Sequence, residues 1–158
     1  MMPVFYYRTE LGRIGIGEKD SALSVVILNA SESDSSEVAE TPLIREAHRQ
    51  ITAYLAGTLT HFDLPLNPEG TMFMQSVWRE LRTVPYGHTC SYGDIAHRIG
   101  KPGASRAVGM ACGKNPIPII IPCHRVIGAS GSLTGFSSGI ELKRRLLGIE
   151  GVLLPFFN

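Results

Sequence analysis

The apolar positions of this chain change period along its length. Val4, Phe5, Tyr6 and Tyr7 lead into Leu11-Gly12, beyond which Ile14 and Ile16 alternate with smaller residues. Alternation of period two with aromatic and β-branched content predicts strands over 4–9, 13–17 and 22–28, a three-stranded meander. Residues 31–40 are polar and acidic and read as a mobile surface loop. From residue 42 the period becomes helical. Leu43, Ala47, Ile51, Tyr54 and Leu55 share one face of a helix predicted over 42–56. Thr41 is its cap, Pro42 occupies its first position and Gly57 is its stop. His61 to Pro68 is proline-spaced and reads as an extended linker, which puts a domain boundary near residue 68 and divides the chain into 1–68 and 69–158.

Beyond the linker the helical period returns. Thr71 caps a helix predicted over 72–83, carrying Phe73, Val77, Trp78 and Leu81 inward, and Ser91 caps another containing Tyr92, Ile95, Ala96 and Ile99 that stops at Gly100. After the break Lys101-Pro102-Gly103, a further helix runs from about Ala104 to Gly113 with Ala107, Val108 and Ala111 inward. Two short helices on a Gly/Pro turn read as a helix-turn-helix. The second is small-sided, with Ala104, Ser105, Ala107, Gly109, Ala111 and Gly113, and only Arg106 and Lys114 offer long cationic reach. A helix stripped of bulk can press its backbone into a narrow groove, which suits a minor groove better than base-edge readout. Residues 129–139 form a glycine- and serine-rich loop, Ile140 to Leu147 a last helix with Lys143, Arg144 and Arg145 towards its end, and Val152 to Phe157 an apolar tail expected to pack back on the body.

Charge sharpens this division. Net charge is +1, yet residues 1–68 carry five Lys and Arg against nine Asp and Glu, and residues 69–158 carry ten against five. A basic second half is what a polyanion-binding domain needs. Hydrophobic content of 44% and charged content of 18% are those of a soluble globular protein. No apolar run has bilayer-spanning length, and no secretion signal is apparent. Cys90, Cys112 and Cys123 fit neither a disulfide framework nor a compact zinc motif and are expected as reduced thiols in a cytoplasmic protein. His48 and His61 are expected at the surface or an interface. The glycines Gly12, Gly15 and Gly17 do not form a dinucleotide loop.

The concentrated chemistry lies in Asn115 to Gly128. Ile117 to Ile121 is an apolar run stiffened by Pro116, Pro118 and Pro122, and it ends on Cys123-His124-Arg125. The thiolate is the nucleophilic form of cysteine, and an adjacent base or cation makes it more accessible. A cysteine alone is more often inert core. A core strand, however, has no use for a His-Arg pair closing an apolar run.

Pro122-Cys123-His124-Arg125-Val126-Ile127-Gly128, preceded by Asn115-Pro116 and Ile119 to Ile121, resembles the signature of the O6-alkylguanine-DNA alkyltransferases. The resemblance covers residues 70–151 closely and the first half only in outline. It implies an α/β (α+β) fold, with a small ribonuclease-H-like N-terminal domain and a mainly helical C-terminal domain containing a winged-helix-like helix-turn-helix. It implies direct-reversal DNA repair, in which Cys123 takes the alkyl group irreversibly. His124 matches the general base, working through a water, Glu150 the acid that orients it, and Asn115 the hinge asparagine. Arg125 matches an arginine that fixes the active-site loop by ion pairs. Arg106 matches the arginine that enters the base stack and Tyr92 the tyrosine that promotes nucleotide rotation, with Ser91, Ala104, Ser105 and Gly109 at the backbone or groove. Pro118, Val126, Phe136 and Ser137 match the substrate pocket. Phe136 stands where the family usually has tyrosine, so a hydroxyl is lost there; Cys112 stands where it often has methionine, and Gly113 where it often has arginine. The implied partner is double-stranded DNA, approached through the minor groove by a monomer, with cooperative binding open. No metal, other cofactor or membrane is implied. The competing reading is a lesion-sensing DNA-binding protein without transfer, against which Cys123 itself argues.

Overall fold

The computed structural model describes residues 4–35, 39–133, 136 and 139–152. The chain forms two compact units, residues 1–69 with 116–120, and residues 70–115 with 121–158. The short segment 116–120 thus leaves the second half of the sequence to join the first unit.

In the first unit, β1 (Val4–Thr9), β2 (Gly12–Lys19) and β3 (Ala22–Ile27) form an antiparallel sheet in that order. Thr9 pairs with Gly12 across the first turn, where Gly12 takes φ +95°, a left-handed conformation that favours glycine. The helix α1 (Pro42–Leu55) packs on this sheet, and the Thr41 side chain accepts from Ile44 N at its start. Ile14, Ile16, Leu23, Val26, Ile44, Ala47, Ile51 and Tyr54 form the core. Ile44 takes the fully buried position, and Leu43, expected on the inner face, is half-buried. The spacing 44-47-51-54 sets the phase of that face and leaves Leu43 at its rim.

The segment read as a linker has a structural job. Leu23 N donates to Pro65 O (2.9 Å) and Asn67 N to Leu23 O (2.8 Å), so residues 65–67 run along β3. The buried amide of Gln50 holds the approach, accepting from Asp63 N (2.9 Å) and donating to Asp63 O (3.1 Å). Further along β3, Val26 N donates to Pro116 O (2.9 Å). These contacts occupy a sheet edge that would otherwise expose unpaired backbone groups. Within the same segment Ile119 is buried with φ +74°, a conformation that costs a β-branched residue about 1–3 kcal/mol and persists only under packing. The acidic loop is tied at its described ends: Arg8 pairs with Glu32 (2.6 Å) and the Tyr7 hydroxyl donates to Glu40. His48 is half-buried, stacked on Tyr7 at 3.8 Å, and His61 is exposed.

The second unit contains α2 (Met72–Leu81), β4 (Cys90–Ser91), α3 (Tyr92–Arg98), α4 (Ser105–Gly113), a 3-10 turn (Cys123–Arg125), β5 (Val126–Ile127) and α5 (Ile140–Ile149). Thr71 caps α2 and Ser91 caps α3, the latter in a full capping box with Asp94. After α3 the chain turns at Gly100, φ +77°, into the break that leads to α4. Trp78 is fully buried, and its indole N–H donates to Ala111 O (2.8 Å), pinning α2 to α4. β4 and β5 pair in parallel, Cys90 with Val126 and Ser91 with Ile127.

Several sequence expectations are corrected here. Ala107, expected inward, is exposed. Val108, Ala111 and Cys112 set the buried stripe of α4, and Ala107 falls outside it. The helix expected over 72–83 stops at Leu81, and the last helix continues to Ile149. Lys143, one of the three cations noted toward the end of that last helix, is fully buried. The tail expectation for 153–157 lies outside the described residues.

Candidate active site

The stiffened run delivers its cysteine into a tight turn. Cys123 N donates to Ile121 O (2.8 Å) and Arg125 N to Pro122 O (3.0 Å), which closes the 3-10 turn. The Asn115 amide spans the same loop, donating to Ile121 O (2.9 Å) and to Cys123 Sγ (3.2 Å). One side chain therefore holds the loop and touches the sulfur. Cys123 is 5% exposed and His124 is fully buried.

Glu150, at the end of α5, is the hub on the other side of the turn. Its Oε2 lies 2.7 Å from His124 Nε2 and accepts from Arg125 Nη2 (3.1 Å). Its Oε1 accepts from Arg125 Nε (2.9 Å) and from Gly87 N (3.0 Å). Arg125 Nη1 donates to Val84 O (2.7 Å), and the Tyr86 hydroxyl donates to Ile149 O (3.2 Å). The Pro85-Tyr86-Gly87 turn, the cysteine turn and the end of α5 thus meet on one carboxylate. Arg125 makes the ion pair expected of it, with Glu150 as its partner.

Electrostatics follow from this burial. Burial pushes the Cys123 thiol up, against the Asn115 hydrogen bond and the nearby Lys143 charge, which favour the thiolate. Burial holds His124 below its ordinary value, while Glu150 pulls it upward. The resting pair is therefore a thiol and a neutral imidazole, the form of His that can take a proton. Burial also raises Glu150, but hydrogen bonds from His124 and Arg125 outweigh it and hold the carboxyl at about 2. With Nε2 facing Glu150, a proton taken up by the ring would go to Nδ1.

Sequence reasoning missed Lys143. Its Nζ donates to Val126 O (2.5 Å) and lies 5.9 Å from the centre of the Tyr92 ring. Burial lowers it to about 8, opposed by Cys123 and Cys112. Its neighbours Arg144 and Arg145 disguise it as one of a surface run. The usable signal was spacing, since Lys143, Leu146 and Leu147 lie at i, i+3 and i+4 on the buried stripe. Cys112 is buried, and burial raises it to about 12, which marks it as an inert thiol.

The residues expected at DNA gather around the starts of α3 and α4. Tyr92 lies against Gly109, where a Cβ would sit 3.8 Å from the ring, and a Cβ at Gly93 would sit 3.6 Å from Ser105 Oγ. Ser91 and Ala104 are the cap residues of the two helices, and Arg106 is exposed on α4. Val126 is fully buried next to the cysteine turn, and Phe136 is buried. Pro118 is half-buried in the segment that packs with the first unit, and Ser137 lies outside the described residues. Among the described residues no cluster of His, Cys, Asp and Glu is placed to hold a metal ion, and no helix is long and apolar enough to cross a membrane.

Comparison with known proteins gives the chain's family. Residues 72–152 match the sequence model of the 6-O-methylguanine DNA methyltransferase, DNA binding domain. A methylated-DNA–protein-cysteine methyltransferase of Methanosarcina acetivorans is 56% identical over 120 residues, 76% of this chain and 77% of that protein. One of Mycobacterium tuberculosis is 48% identical over 158 residues, 96% of each. The crystal structure of the M. tuberculosis O6-methylguanine methyltransferase superposes with TM-score 0.85 at 44% identity, covering 95% of this chain and 93% of that one. A structure of the M. tuberculosis protein in complex with DNA gives TM-score 0.85 at 46% identity, covering 93% and 91%. With its cysteine turn, its buried carboxylate hub and these matches over most of its length, the chain belongs to the 6-O-methylguanine DNA methyltransferase family.

Proposed function

We propose that this protein repairs DNA as a methylated-DNA–protein-cysteine methyltransferase, moving the alkyl group from O6 of guanine to Sγ of Cys123. The observation that carries the reading is the Cys123 turn itself, with Asn115 on the sulfur and the His124–Glu150 pair behind it. The methyltransferase names of relatives aligned over almost the whole chain support it.

An alkylated guanine inside a duplex is out of reach, so the nucleotide turns out of the stack at a cost of about a few kcal/mol. Arg106 fills the gap, Tyr92 promotes rotation at the backbone, and Ser91, Ala104, Ser105 and Gly109 line the minor-groove contact of a helix-turn-helix. The extrahelical base enters a pocket walled by Val126, Phe136 and Ser137. The Cys123 proton passes to His124, through a water as in the family, and Glu150 stabilises the imidazolium. The thiolate attacks the alkyl carbon in line. The Sγ–C bond forms, the C–O6 bond breaks, and its electron pair goes to O6, balanced by the proton His124 has taken. The thioether product has no route to hydrolysis in this site, so each protein acts once. The first unit keeps the ribonuclease-H-like outline of the family, and the protein works as a monomer in the cytoplasm with its three cysteines reduced.

Intact mass after mixing with a duplex carrying one O6-methylguanine tests the reading. One methyl gained per chain, mapped to Cys123 and absent in Cys123→Ala, is expected. Tight lesion-selective binding without mass change would replace repair with sensing.

A further inference from the structure

Three large apolar side chains are exposed among the described residues: Met72 (90%), Met110 (69%) and Ile140 (43%). Met72 and Ile140 open their helices, where a first-turn side chain has little to pack on. Met110 is different, lying in the body of α4 on the face opposite Val108, Ala111 and Cys112. Arg106 stands four residues earlier, so the two side chains share one face of the helix. Everything else on that face is small, with Ala107 and Gly113 both exposed.

We infer that Met110 is a second wedge for the duplex, an apolar side chain that enters the minor groove beside Arg106 and holds the lesion step open. The inference rests on the reading of α4 as the groove-facing helix. Four residues advance about 6 Å along a helix axis, under two base steps of about 3.4 Å each. With Arg106 in the vacated stack and α4 seated along the groove, Met110 meets the adjoining step. Methionine suits that place, because its thioether chain adapts to irregular surfaces. Apolar side chains inserted at base steps are a recurrent way for minor-groove proteins to unstack and bend a duplex. The occupant is duplex DNA and not an apolar protein face, because the rest of the surface is bare backbone and small side chains flanked by Arg106 and Lys114.

Met110→Ala and Met110→Gln test this, the second keeping length while removing apolar character. Each is measured on O6-methylguanine in a fully paired duplex, on the same lesion opposite an abasic site, and on free O6-benzylguanine. The paired duplex should react about tenfold more slowly in both variants, the scale of one buried methionine-sized side chain. The pre-opened duplex and the free base should react at wild-type rate. Equal rates on the paired duplex would overturn the wedge, as would an equal loss on the free base, which would make Met110 a support of the fold. Failure of the wild-type protein to take a methyl from the duplex would instead overturn the repair reading.

Discussion

Glu150 holds two buried partners, His124 and Arg125, on one carboxylate. Its carboxyl sits at about 2 in the folded protein against an ordinary 4.5, so its stabilisation is complete above about pH 4.5 and is lost as pH falls toward 2. Glu150→Gln leaves Arg125 buried without its counter-charge, which costs about 3–5 kcal/mol for a broken buried pair. Thermal unfolding across pH should show a large deficit at neutral pH that closes as the wild type is acidified. Lys143 gives a dependence of the same sign in a higher window. Its amine is lowered to about 8 from 10.5, so between those values the unfolded chain holds a proton that the folded chain has lost, and stability rises with pH. Lys143→Met should abolish that rise, read as the difference between the two pH–stability curves. It should also slow alkylation of Cys123 near neutral pH, because a buried cation that favours the thiolate is gone. Asn115→Ala should act on the same group from the other side. Without its hydrogen bond to Sγ, the pH profile of thiol alkylation should move to higher pH.

At the scale of elements, caps and a single indole hold the second unit in register. Ser91→Ala removes the capping box of α3 and should cost about 1 kcal/mol. Trp78→Phe should cost more, since it leaves Ala111 O short of its indole donor as well as reducing packing between α2 and α4; denaturant midpoints measure both. These elements were legible in the sequence because their signals are local. Thr41, Thr71 and Ser91 announce their helices within three residues, and the strand alternation around Ile14 and Ile16 is visible without any partner. What was not legible depends on distant pairing. The two-residue ladder of Cys90–Ser91 with Val126–Ile127 is too short to leave a period, and the bond from Val26 N to Pro116 O joins residues ninety positions apart. The active site divides in the same way. Cys123-His124-Arg125 is contiguous and reads at once, whereas Glu150 is a surface acid until α5 places it beside Arg125. Lys143 looks like one of three neighbouring cations until the same helix turns it inward.

Across the whole molecule, charge separates along the sequence, with an acidic excess in residues 1–68 and a basic excess in 69–158. A protein that neutralises phosphates releases counterions, and the logarithm of its affinity falls with the logarithm of salt by about 0.9 per phosphate neutralised. The family-matched second unit carries exposed Arg98, Lys101 and Lys114 around α3 and α4. Arg49 of the first unit is paired with Glu46 at 2.6 Å and is already compensated. Lys101→Ala should therefore flatten the salt slope of duplex binding by about one unit at most and weaken lesion-containing and undamaged DNA alike. Arg49→Ala should leave the slope unchanged. Fluorescence anisotropy titrations at several salt concentrations decide this. An equal flattening from Arg49→Ala would mean that the acidic half also meets phosphate, and that the charge asymmetry does not mark the DNA-binding half.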